Sequence, residues 1–189
     1  GASCATVTPK RRKFFDGPTD AAAIPMDKHY LTPLFAPASI AVLAGRADNP
    51  ESLTSYAQAL HPALRAQRFA GSLQFVDTHT SGTLADLAQR KSDLAIIALP
   101  PAEVPAALEV AGRIGCRAAL VLSSGMDADQ AANLKKIARR EGLYLLGPNS
   151  LGFQRPHLQL NASAAGPLAS DGPLALVCQS GALTSSILD

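Results

Sequence analysis

Residues 93–125, "DLAIIALPPAEVPAALEVAGRIGCRAALVLSSG", decide the fold. "DLAIIALP" is apolar without interruption and of strand length, the pattern of a strand covered on both faces. After its prolines, Val104, Ala107, Leu108, Ala111 and Ile114 recur at helical spacing and mark one apolar helix face. Gly115 stands where a helix end needs a left-handed residue, and "AALVLS" is a second apolar strand. Strand, helix and strand in so short a span make a βαβ unit, whose right-handed crossover sets the strands parallel.

The same alternation extends both ways. Upstream, "SIAVL" at 39–43 reads as a strand and "SLQFVD" at 72–77 as another. Between them, Thr54–Phe69 has helical spacing through Tyr56, Leu60 and Leu64, with His61-Pro62 expected to kink or divide it. "GTLADLAQR" at 82–90 reads as a short helix. Downstream, Asp127 is placed to N-cap a helix with Leu134, Ile137 and Ala138 inward and its end at Gly142. "LYLL" at 143–146 is a fifth strand. The expected fold class is α/β, a Rossmann-like doubly wound parallel sheet of five or more strands with helices on both faces. All strand ends then meet at one edge, bringing together Gly45, Asp77, Pro100, Ser123–Gly125 and Gly147–Asn149. Ligands of such sheets bind outside that edge, near the point where strand order reverses.

Composition narrows the function classes. The 189 residues are 47% hydrophobic, enough for a core, and the net charge of +2 gives no support to a nucleic-acid partner. No apolar run approaches the ~20 residues that span a bilayer, and the start lacks a signal-peptide core. Cys4, Cys116 and Cys178 are odd in number and lack metal-ligand spacing, which suits a reducing, cytoplasmic setting. Cys116 and Cys178 read as small buried hydrophobes. His29, His61, His79 and His157 form no ligand pair, so no metal site is expected. "KRRKFF" at 10–15 reads as part of a solvated tail.

The organisation expected is an N-terminal extension over 1–28, flexible or foreign to the natural chain, and one domain over 29–153. Residues 154–189 read as a loop-rich link, then a strand at "LALVC", a Ser-Gly turn and the start of a helix in a truncated second domain.

Five stretches at the strand exits carry candidate chemistry. "AGRADNPES" at 44–52 offers one glycine, Gly45, before a helix whose N–H groups suit a phosphate. Arg46 adds a cation to that loop, whereas Asp48 and Glu51 oppose an anion. Asp77 raises an NAD-binding alternative, through the ribose hydroxyls. It lies well past the usual spacing of about 20 residues and lacks the right glycines. "ALPP" at 98–101 gives a rigid exit loop, and "SSG" at 123–125 supplies hydroxyls and N–H groups. "GPNSLG" at 147–152 joins a tight turn to Asn149, which can bond its own backbone or a ligand. Ser150 has no His–Asp partner in any motif, so no serine hydrolase is expected. "QSGAL" at 179–183 starts a helix, with Ser180, Gly181 and Ala182 suited to an anion.

Taken in order, "HYLTPLFAPASIAVLAGRADNPES", residues 93–125, "IARREGLYLLGPNSLG" and "GPLALVCQSGAL" resemble the N-terminal region of the NDP-forming acyl-CoA synthetases. That region is similar to the succinyl-CoA synthetase α subunit. It is also similar to the corresponding part of bacterial protein lysine acetyltransferase fusions. The resemblance covers residues 29–189. It implies a CoA-binding Rossmann-like domain followed by the start of a flavodoxin-like one, with CoA or acyl-CoA as ligand. Gly45, Pro50 and Ser52 agree with that family's first loop, while Thr54 stands in place of its last glycine. The resemblance implies CoA contacts at Gly45, Arg46, Pro50, Ser52, Leu99, Pro100, Ser123, Gly125 and Asn149. It implies a phosphohistidine-phosphate site at Ser180, Gly181 and Ala182. No residue of this chain matches the phosphohistidine itself, so no catalytic residue is expected here. ATP or ADP and Mg²⁺ belong to the full-length enzyme, and the expected partners are ligase, ATP-grasp or acetyltransferase domains of the same polypeptide. Three readings follow: a CoA-binding domain of a ligase, a regulatory or degenerate domain of an acetyltransferase fusion, or an NAD-binding domain.

Overall fold

In the computed structural model, which describes residues 29–45, 53–66, 68–76 and 91–188, the five strands predicted between residues 39 and 146 form a single parallel sheet. Its strands are β1 (Ser39–Leu43), β2 (Ser72–Phe75), β3 (Leu94–Ile97), β4 (Ala118–Val121) and β5 (Tyr144–Leu146), in the order β2-β1-β3-β4-β5. Val42 pairs with Phe75 on one side and Ile96 on the other, and Ile96 pairs in turn with Leu120. In this order the sequence reverses between β1 and β3, which is the topological switch point.

The apolar texture of the central strands follows from burial on both faces. Ala41, Leu43, Ala95, Ile97, Ala119 and Val121 enter one core with α3 (Val104–Arg113) and α4 (Ala128–Arg140). Ile40, Val42, Leu94, Ile96, Ala118 and Leu120 enter the other with α2 (Ser55–Arg65) and the short α1 (Thr32–Phe35). Leu94, Ile96, Ile97 and Leu120 are fully buried, and each such side chain contributes about 1.5–3 kcal/mol.

The helices end as their residues require. Asp127 accepts from the Gln130 N–H at 2.7 Å while the Gln130 side chain accepts from the Asp127 N–H at 2.9 Å, a reciprocal cap on α4. The five apolar residues expected on α3 and its C-cap are all buried. On the surface, Arg140 joins α4 to α3 through Glu109 at 2.6 Å and also bonds Glu141 at 2.8 Å.

Three expectations are corrected. First, α2 is not divided at His61-Pro62 but runs through Pro62 as one helix. Proline removes one helical donor, and the buried face of Ala57, Leu60, His61 and Leu64 outweighs that loss. Second, the start of the supposed link is an antiparallel hairpin of β6 (Gly152–Arg155) and β7 (Leu160–Ser163). Leu160 and Ala162 are buried in the α2-side core, so this hairpin closes the sheet's flank. Third, "LALVC" forms no strand: Leu174 and Val177 are 95% and 97% exposed, and Cys178 is exposed rather than buried. An apolar run has nothing to pair with where no strand lies beside it. The helix expected after it does form, as α5 (Gly181–Leu188). The helix expected at 82–90 lies outside the described residues.

Candidate functional site

β1 and β3 send their chains to opposite faces of the sheet, β1 to α2 and β3 to α3. Ligands of open α/β sheets bind in the gap between two exits that diverge in this way. Leaving β1, Gly45 has φ +71°, and a Cβ there would sit 2.9 Å from the Leu53 side chain. Arg46, Pro50, Ser52 and Asp77 lie outside the described residues.

The chain is next described where Leu53 and Thr54 lead into α2. Thr54 is extended, and its Oγ1 accepts from the Ala57 N–H at 3.2 Å as the helix N-cap. The same hydroxyl donates to the Ala98 carbonyl at 2.8 Å, beyond the end of β3. One proton and two lone pairs allow both bonds at once. The Ala98 N–H in turn donates to the Leu43 carbonyl at 3.0 Å, so the exits of β1 and β3 are tied by backbone as well.

On the other flank, the hydroxyl of buried Ser123 donates to the Leu99 carbonyl at 2.6 Å. The Ser123 carbonyl accepts from the Asn149 N–H at 2.9 Å, which brings the β5 exit into the same row. Gly147 (φ +102°) is required here because a Cβ would strike the Val121 carbonyl. The Gly147-Pro148 peptide is cis, and Asn149 is left-handed with its side chain exposed. Gly125, exposed and with φ +81°, has open space where a Cβ would stand. Leu99 is buried and Pro100 half-buried.

The predicted helix start also approaches this edge. A Cβ on Gly181 would stand 3.9 Å from the side chain of Leu151, two residues beyond Asn149. Ser180 caps α5 itself, accepting from the Leu183 N–H at 3.3 Å, and Ala182 is exposed.

Among the described residues, two polar side chains near this edge are engaged locally. Ser150 Oγ accepts from the Gly152 N–H at 3.1 Å. Asp127, which follows the β4 exit in the chain, is committed to capping α4. Among the described residues no group of three or more His, Cys, Asp or Glu is placed to hold a metal ion. No helix among them is long and apolar enough to cross a membrane. Cys116 is buried at the opposite, amino-terminal end of β4, where burial first and the Asp93 carboxylate second push its thiol up to about 12. It is an inert thiol at neutral pH.

Sequence reasoning brought Gly45, Leu99, Pro100, Ser123, Gly125 and Asn149 to one edge, and the structure places all six there. It missed the bridging role of Thr54. The signal was present, since threonine before a helical apolar pattern is a favoured N-cap, but its second partner lies 44 residues away.

A five-stranded parallel α/β sheet with its polar backbone groups gathered at the carboxyl edge defines a Rossmann-like ligand-binding domain. Residues 72–156 match the family described as the CoA binding domain. The ADP-forming acetate–CoA ligase of Methanocaldococcus jannaschii is 35% identical over 101 residues, 51% of this chain and 14% of that ligase. Subunit alpha of the ADP-forming acetate–CoA ligase I of Pyrococcus furiosus is 35% identical over 103 residues, 51% of this chain and 22% of that subunit. The matched stretch is thus less than a quarter of the length of either relative. The crystal structure of PH0766 from Pyrococcus horikoshii OT3 superposes with a TM-score of 0.71 at 26% identity, over 84% of this chain and 38% of that one. The dinucleotide forming acetyl-coenzyme A synthetase 1 of Ca. Korarchaeum cryptofilum shares the fold, with a TM-score of 0.65 at 24% identity, over 84% of this chain and 36% of that one. Residues 72–156 thus resemble the CoA-binding domain of the ADP-forming acyl-CoA synthetases.

Proposed function

We propose that this chain binds coenzyme A or an acyl-CoA in the crevice at the β1/β3 switch point, on behalf of an ADP-forming acyl-CoA synthetase. The observation that carries the reading is the family match over residues 72–156, a stretch that contains the exits of β3, β4 and β5. The contacts are Gly45, Leu99, Pro100, Gly125 and Asn149, and Arg46, Pro50 and Ser52 complete the first loop. Open space at Gly125 and the exposed amide of Asn149 fit a ligand lying along the edge. Ser180, Gly181 and Ala182 hold a phosphate in the whole protein. There, ATP or ADP with Mg²⁺ and the acyl group are handled by other segments or partner chains. The setting is the cytoplasm, which suits the free thiols of Cys116 and Cys178.

Calorimetric titration of the chain with CoA, acetyl-CoA and NAD at low and physiological salt tests this. Salt-sensitive binding of CoA or acetyl-CoA without an NAD response is the expected result. Binding of NAD in preference to CoA would replace the reading, and silence toward all three would point to a domain kept for structure or regulation.

A further inference from the structure

Two hydroxyls hold consecutive carbonyls of one exit loop from its two flanks. Thr54, at the start of α2, holds Ala98, and Ser123, at the end of β4, holds Leu99. Ala98 and Leu99 immediately follow β3, the strand on one side of the switch point. Pro100 and Pro101 have no N–H to donate, so beside the Ala98 N–H bond to the Leu43 carbonyl and the burial of Leu99, these two hydroxyls are what hold the loop's first carbonyls. Its carbonyl row is therefore placed by side chains from two other elements, one of them across the gap opened by the diverging chains.

We propose that Thr54 and Ser123 are positioning residues for coenzyme A binding, together fixing the β3 exit loop and the width of the crevice at the switch point. Each hydroxyl proton is spent inside the protein, so the pair works by placement and not by donating to the ligand. Thr54 does two things with one group. It ends α2 in a defined place, and it fastens that place to Ala98, so the helix start and the loop keep a fixed separation. A ligand spanning both meets a preformed site and loses less freedom on binding. Ser123 continues the same row, because its carbonyl receives the Asn149 N–H.

The inference rests on the CoA reading above, and the experiment separates the two. Thr54→Val, Thr54→Ser and Ser123→Ala are made in the full chain, and each is titrated with CoA and melted without ligand. Valine keeps the shape but loses both bonds of the hydroxyl, and serine restores them. Thr54→Val is expected to bind CoA about tenfold more weakly, Thr54→Ser within about twofold of the unaltered chain, and Ser123→Ala several-fold more weakly. Ser123→Ala leaves the α2 cap intact, so it tests the pair even where Thr54→Val does not fold. Folded variants that melt lower yet bind CoA with unaltered affinity would overturn the positioning role alone. A wild-type chain that does not bind CoA would overturn the reading beneath it, and this inference with it.

Discussion

Leu94–Ile97 and Leu174–Val177 are apolar runs of the same texture, and both invite reading as buried strands. The first is the middle of a parallel sheet, each residue fully buried and paired to a strand on either side. In the second, Leu174 and Val177 stand almost wholly in solvent and no ladder forms. Composition does not separate them. What separates them is pairing: β1 and β4 flank β3, and no strand among the described residues pairs with residues 174–177. An apolar run is a strand only where its backbone finds partners.

The sharpest way to break this contrast is to truncate one residue in each run. Ile96→Ala should cost about 2–5 kcal/mol, as cavities in well-packed cores do, and lower the melting temperature by roughly 10 °C. Val177→Ala should leave the melting curve where it was. Equal effects at the two sites would mean that the second run is buried in solution.

His61 sharpens the comparison from the polar side. It is buried on α2 and stacks on Phe75 at 5.0 Å, yet neither ring nitrogen has a hydrogen-bond partner among the described residues. A buried polar group left unpaired costs about 1–3 kcal/mol. His61→Leu should therefore raise the melting temperature by a few degrees, net of the lost stacking, as thermal denaturation would register.

The cysteines beside the two regions give a chemical version of the same test. Iodoacetamide followed by peptide mass spectrometry should label Cys178 in the folded protein and Cys116 only after unfolding. The pH dependence has a definite sign. Because the folded thiol of Cys116 is raised from 9.0 to about 12, the native state holds its proton more tightly than the unfolded chain does. The stability this supplies is complete below pH 9 and is lost as pH rises toward about 12. The fall in melting temperature over that window should be shallower in Cys116→Ala than in the unaltered chain.

The smallest effect is expected at the surface. Arg140→Ala breaks the bonds to Glu109 and Glu141 but removes an exposed cation. Ion pairs of this kind compete with water and salt, so the melting temperature should barely move.

By itself the sequence determined the five parallel strands, the apolar faces of α3 and α4 and the capping at Asp127. Each of these is encoded by local periodicity or by a residue's own backbone preference. The gathering of Gly45, Leu99, Pro100, Ser123, Gly125 and Asn149 at one edge was also legible, because parallel strands must end together. Only the tertiary structure decided the rest. Pro62 sits inside a helix because a buried face outweighs one missing donor. Residues 152–163 form a hairpin because α2 leaves an apolar flank for Leu160 and Ala162 to cover. Thr54 bridges to Ala98, and Ser123 to Leu99, because the fold brings their elements within reach. These are contacts between residues distant in the chain, and no local pattern records the distance that folding closes.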